Sequence, residues 1–245
     1  MSNWRNLQQS LDAPRTKRRK TDKFYRAKVG TNVVRNLPEK NEEDLLEWAE
    51  EHDISKADLT KAYGSTLTSN KLIGKYVAID CEFVGVGMED SALARVSIVN
   101  FHGQLVLDLI VRPKERVTDW RTPVSGIHPR MMKTAVAFDA AQSQVAEILS
   151  GRVLVGHSVQ HDLKALLLSH PRSMIRDTSL HPAYRRRAQG KTPGLATLAK
   201  AELDMEIQTG KHSSVEDAQA TMLLYRKHKD DFEMQASRNT RKRNR

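Results

Sequence analysis

Asp80 and Glu82 stand two residues apart in an otherwise apolar run, Tyr76 to Phe83, that is rich in β-formers. A strand has a side-chain period of two, so both carboxylates project from one face and Cys81 from the other. Two acids side by side in a strand are costly without a cation, supplied either by a neighbouring Arg or Lys or by a metal. For an isolated Asp-x-Glu the ion pair is the better expectation. A third acid, Asp162, falls near the start of the helix expected after the short strand Val153 to Val155, where a lone carboxylate also suits the helix dipole. Ser213 and Glu216 have the spacing of a capping box, which starts a helix at Ser213, leaves His212 just outside it and puts Asp217 in its first turn. A capped surface helix with an incidental His accounts for that pattern equally well.

The combination weighs more than its parts. Four carboxylates offer oxygen ligands only, which suits Mg2+ or Mn2+, whereas zinc favours nitrogen and sulfur. His157 and His161 have H-x3-H spacing but no two further ligands, so the pair reads as structural or substrate-facing. Cys81 reads as a small buried group, because two anionic neighbours raise a thiol pKa. Two cations about 4 Å apart stabilise the attacking and leaving oxygens of a phosphoryl displacement, and a neutral His near its pKa accepts the proton of the attacking water. Phosphodiester hydrolysis is the chemistry expected.

These residues need a scaffold. Leu93 to Phe101 and Leu105 to Val111 are two further β-forming runs, so three strands in succession predict an antiparallel meander. Helical spacing follows in Asp139 to Ser150, Ser158 to Leu168, Leu195 to Leu203 and Ser213 to Lys229, with short strands at Val153 to Val155 and Ile175 to Thr178. The expectation is an α/β fold, a mixed five-stranded sheet with helices packed on it. Asn41 to Glu51 and Ser55 to Tyr63 predict two short helices ahead of it, and Arg172 to Lys191 a basic loop.

The chain has 245 residues, 40 Lys and Arg against 30 Asp and Glu, and a net charge of +10. Residues 1 to 30 hold nine basic and two acidic side chains, residues 31 to 70 four and nine, and residues 234 to 245 five and none. The basicity therefore sits at the ends, as cationic segments suited to a polyanion, since each neutralised phosphate releases counterions. Lys17 to Lys20 serve nuclear import equally well. The expected organisation is a basic tail at 1–36, an acidic helical segment at 37–70, one domain at 71–233 and a basic tail at 234–245. One cysteine, Cys81, and no apolar leader point to a reducing compartment. No apolar run approaches the length of a membrane helix, and no heptads signal an oligomer, so a monomer away from membranes is expected.

The segments YVAIDCEFVGVG (76–87), SALARVSIVN (91–100), WRTPVSGI (120–127), LVGHSVQHDLKAL (154–166), IRDTS (175–179) and HSSVEDAQATMLLYR (212–226) resemble the DEDDh 3'-5' exonuclease superfamily, and within it the RNA exonuclease 4 group. The resemblance spans 71–233 in order. It implies an RNase H-like fold with helices on both sheet faces, a site with two Mg2+ or Mn2+ ions, and stepwise release of 5'-mononucleotides from a 3' end. It assigns Asp80, Glu82, Asp162 and Asp217 as metal ligands and His212 as general base. Asp80 would bridge both ions, Glu82 and Asp217 complete one, and Asp162 act on the other mainly through water. Phe83, Arg121, Ser125, Gly126 and Ile127 match positions that contact the terminal nucleotide in relatives; packing and a surface ion pair explain the same residues. Trp120 and Pro123 depart from the family's usual loop. The resemblance also implies single-stranded RNA as substrate, pre-rRNA and pre-ribosomal particles as partners, and a place in the nucleus and nucleolus. A DNA exonuclease with the same site, or an assembly factor that uses the domain as an RNA-binding platform, stays open.

Overall fold

A computed structural model describes residues 73–88 and 90–243. The expected N-terminal tail at 1–36 and the helical segment at 37–70 lie outside the described residues. The chain runs through β1 (Tyr76–Val86), β2 (Asp90–Asn100), β3 (Leu105–Arg112), β4 (Val117–Asp119), α1 (Thr122–Ser125), β5 (Val136–Ala137), α2 (Phe138–Leu149), β6 (Val153–Gly156) and α3 (Gln160–Ala165). It continues through β7 (Ile175–Asp177), α4 (Pro182–Arg187), α5 (Leu195–Leu203), α6 (Ser214–Lys227) and α7 (Lys229–Arg243). All lie in one α/β sheet architecture, in the order β5-β3-β2-β1-β6-β7, with β4 paired to β1 beside that path.

The five expected strands are present, and the sheet has seven. The two additional strands carry three and two residues, too short for any period to register. Each exists through its partner: β4 pairs with the far end of β1 at Gly85 and Val86, and β5 with Val111 and Arg112 of β3. β1, β2 and β3 form the expected antiparallel meander, while β6 and β7 add in parallel, which makes the sheet mixed.

The period of two in β1 sorts its side chains between two cores. Val77, Ile79 and Cys81 pack with Val96 and Ile98 against Phe138, Ala141, Val145 and Leu149 of α2 and Leu163 of α3. Tyr76 and Ala78 pack with Val99, Val153 and Val155 against Ala218, Met222 and Tyr225 of α6. Helices thus cover both faces. The far side of α6 buries Ala220, Leu223 and Leu224 against α5 and Tyr184 of α4. Burying one such large side chain contributes about 1.5–3 kcal/mol, so α6 is held on both flanks and its first turn has little freedom.

Two expectations change at the C-terminal end. The helix expected through Lys229 stops at Lys227, and the segment expected as a tail from 234 is helical as far as Arg243. The start of α7 is anchored: Phe232 is buried with its ring 4.3 Å from that of His181, and Glu233 accepts two hydrogen bonds from Arg176 and one from the Tyr225 hydroxyl. The basic loop at 172–191 holds α4, started by Pro182 at its first position. Within it Arg187 is spent on Glu202 at 2.8 Å and Arg185 donates to the Gly190 carbonyl, leaving less free charge for a nucleic acid than the sequence implies.

Candidate active site

Asp80 and Glu82 occupy the α6 face of β1, in line with Ala78, at the point where the apolar contacts between strand and helix give out. Asp217 comes to them from the first turn of α6. Carboxylate oxygens of the three lie within 4.8 Å of one another, with Asp80 half-buried and the other two buried. Burial drives Asp80 well above the carboxylate range, and Asp162, Asp217 and Glu82 push it further. Glu82 is raised to about 8 by burial and by Asp217, against the opposing Arg95 charge and the Ser214 backbone N–H. Asp217 is raised to about 6, again chiefly by burial, with a hydrogen bond from Gln208 and the His212 ring working the other way.

Among the described residues the ion pair that the Asp-x-Glu spacing favours is not formed. Arg95 stands across the strand pair from Glu82, yet its guanidinium is committed bidentately to Asp108, at 2.8 Å for both bonds. Ser97, opposite Asp80, likewise donates to Asp108 at 2.9 Å and meets the Ser214 hydroxyl at 2.6 Å. Among the described residues no Lys or Arg pairs with Asp80, Glu82, Asp162 or Asp217. Glu82 Oε1 and Asp217 Oδ1 are moreover buried without a hydrogen-bond partner. A buried charged oxygen left unpaired costs more than the roughly 1–3 kcal/mol of a neutral one, and two of them facing a third carboxylate fit a hard divalent cation. The expected capping box does not form either: Ser213 is the N-cap, but its side chain makes no capping bond.

Asp162 approaches from the other core, outside the group of three but close enough to raise Asp80 and Glu82. Its own carboxyl is raised to about 7 by burial, while the Cys81 thiol and the Cys81 backbone N–H hydrogen-bond to it and hold it down. The thiol is raised in turn, chiefly by burial and then by Asp162 and Asp80, so it is a donor and not a nucleophile. The turn into α3 that aims Asp162 depends on two further residues. A Cβ on Gly156 would collide with the Val159 side chain, and Asp177 accepts from the Ser158 and Val159 backbone N–H groups at 2.9 and 3.1 Å. His157 is structural, bonded to Thr178 and to the Pro193 carbonyl.

His212 is half-buried, its ring near enough to Asp217 to favour the charged carboxylate. Its backbone N–H donates to the Val124 carbonyl at 2.7 Å, which joins it to the loop at 120–127. In that loop Arg121 has a left-handed backbone (φ 49°) and donates to Ser91, with Asp119 3.9 Å away. Ser125 is buried, donating to the Trp120 carbonyl and accepting from the Ile127 N–H. Ile127 is fully buried against Val84 and Ala94, while Phe83 is half-buried on the Cys81 face against the α2 core. Of the five residues expected to contact the terminal nucleotide, Arg121, Phe83 and the Gly126 backbone therefore keep surface to offer a substrate. Gly126 sits at φ +70° with its absent Cβ 3.5 Å from the His212 carbonyl. Gly126→Ala is expected to cost about 1–2 kcal/mol of stability from the left-handed backbone and to slow nucleotide release about tenfold. Thermal unfolding and single-turnover rates check both; a variant with wild-type rates would separate the loop from His212.

Sequence reasoning did not assign Arg95, Ser97, Asp177, Ser214 or Gln208. Asp177 lies inside the recognised IRDTS segment, but its role is visible only once β7 is paired with β6.

A family model for exonucleases of the RNase T type matches residues 77–225. The chain belongs to this exonuclease family. Relatives named RNA exonuclease 4 include those of Candida glabrata, 57% identical over 74% of this chain and 70% of that protein, and Saccharomyces cerevisiae, 59% identical over 67% of this chain and 58% of that protein. The matched stretch thus spans well under the full length of these relatives. Among solved structures, the Neurospora crassa Pan2 catalytic unit superposes with a TM-score of 0.59 at 27% identity, over 69% of this chain and 29% of that one. The Saccharomyces cerevisiae Pan2 pseudoubiquitin hydrolase–RNA exonuclease module bound to AAGGAA RNA gives 0.57 at 28% identity, over 69% of this chain and 32% of that one. The described fold is that of this exonuclease family, and the acidic cluster lies inside the matched span.

Proposed function

We propose that the protein is a metal-dependent 3'-5' exoribonuclease that releases nucleoside 5'-monophosphates from single-stranded RNA. One observation carries the reading: three carboxylates converge within 4.8 Å, two of them with buried oxygens that no protein donor satisfies. The likeness to relatives named RNA exonuclease 4 supports RNA as the polymer. Asp80, Glu82 and Asp217 would hold one Mg2+ or Mn2+, and Asp80 with Asp162 a second. Bound there, the cations polarise the scissile phosphate and lower the pKa of the attacking water. His212, half-buried at the start of α6, takes that water's proton at its ring. Phe83, Arg121 and the Gly126 backbone position the terminal nucleotide, with Ser125 and Ile127 fixing the turn that carries it.

The biological setting we infer is trimming of pre-rRNA within pre-ribosomal particles in the nucleus and nucleolus, by a monomer. The cationic ends of the chain support it, because they supply contacts to phosphate that need no base readout. The test is incubation of the protein with matched 5'-labelled RNA and DNA single strands, in Mg2+ and in EDTA, with products resolved at single-nucleotide steps. A Mg2+-dependent ladder shortening from the 3' end and faster on RNA is expected. A ladder faster on DNA selects the DNA exonuclease, and binding without cleavage selects the assembly platform.

A further inference from the structure

Gln208 lies between α5 and α6, in a stretch the sequence does not mark as part of the site. Its side-chain amide donates from Nε2 to Asp217 Oδ2 at 2.7 Å, while Asp217 Oδ1 stays buried and without a partner. One oxygen of the carboxylate is thus clamped and the other presented. Resting on the metal-centre reading above, we propose that Gln208 is a positioning residue for the cation site, fixing the rotation of the Asp217 carboxylate so that Oδ1 faces the ion shared with Glu82.

Three observations carry this. The stretch that delivers Gln208 is tied down by alternate buried side chains, Leu203, Met205 and Ile207, all in the core shared by α4, α5 and α6. Gln208 is therefore held by the same packing that holds α6. Its backbone is left-handed, φ +58°, a conformation that a residue with a Cβ adopts only at a cost. Glycine would remove that cost and lose the amide. The chemistry of the donor also matters. A Lys or Arg here would neutralise Asp217 and repel a divalent cation, and an ionised acid could not donate. A neutral amide orients the carboxylate and leaves its full charge for the metal.

The test is Mn2+ binding to metal-free protein by titration calorimetry, with the Mg2+ concentration for half-maximal RNA cleavage measured beside it. Gln208→Met keeps the side-chain length and removes the donor. It is expected to weaken Mn2+ binding about 10- to 100-fold, the usual range for losing an outer partner of a metal ligand, and to raise the Mg2+ requirement similarly, with KM for RNA at saturating Mg2+ within twofold of wild type. A merely structural role would change the melting temperature and leave the Mn2+ affinity of the folded fraction alone. Wild-type Mn2+ affinity in a folded Gln208→Met protein overturns this inference by itself. Absence of Mn2+ binding in the wild-type protein overturns the metal-centre reading and this inference with it.

Discussion

Asp80→Asn is expected to reduce nucleotide release at least about 1,000-fold while single-stranded RNA still binds within a few-fold of wild type. Asp80 is the acid on which the other three act together, and in the proposed site it is the ligand common to both cations. Losing transition-state charge stabilisation of about 4 kcal/mol corresponds to that factor at 1.36 kcal/mol per tenfold. The cationic ends of the chain, to which the proposed function gives the phosphate contacts, are untouched, so affinity for RNA should survive. The substitution should also raise the melting temperature in EDTA at pH 8, because it removes an acid whose ionisation burial and the three neighbouring carboxylates disfavour. Rates near wild type, or loss of folding in place of loss of chemistry, would contradict the assignment. Nucleotide release under single-turnover conditions, RNA binding and thermal unfolding measure the three parts.

The second large effect is on stability. Glu82, Asp162 and Asp217 have folded-state values of about 8, 7 and 6, against 4.5, 3.8 and 3.8 for the free side chains. Between pH 4 and 8 the folded protein therefore holds protons that the unfolded chain has released. Stability is fully present below the unfolded values and falls as pH rises through the folded ones. Screening and coupling among the acids reduce the total to the order of 2 kcal/mol, which is about 4–8 °C for a domain of this size. In EDTA the melting temperature should fall by that amount from pH 5 to 8. Mg2+ or Mn2+ should restore it, and by more at pH 8, where the ligands are ionised, than at pH 5. Glu82→Gln should flatten the EDTA curve in part. A melting temperature that is level or rises over this range in EDTA would mean that the cluster carries no such charge penalty.

How much of this the sequence revealed depends on the range of the contact. Asp80 and Glu82 were legible because a strand's period of two fixes their face from neighbouring residues alone. The apolar runs of β1, β2, β3 and β6 and the helix Leu195–Leu203 were legible on the same ground. Asp162, His212 and Asp217 were legible as element ends, although their convergence came from the family resemblance. What stayed hidden was made by long-range pairing. The ion pair expected for Asp-x-Glu named no partner, and Arg95, which pairing with β2 sets opposite Glu82, is taken up by Asp108 of β3. The capping box was locally sound, yet at the helix start it is the Ser214 hydroxyl, against Ser97 117 residues away, that is engaged. The Ser125 and Ile127 positions looked like substrate contacts, and the fold turns both inward.

The central claim is that the four carboxylates form a divalent cation site for phosphodiester hydrolysis, and manganese itself reports on it. Crystals grown with Mn2+ and a nucleoside 5'-monophosphate, measured at the manganese absorption edge, should show two anomalous peaks that share the Asp80 carboxylate. One should touch Glu82 and Asp217, and the other should lie on the Asp162 side, with the phosphate between them. Saturating Mn2+ without a peak among these four side chains would contradict the account.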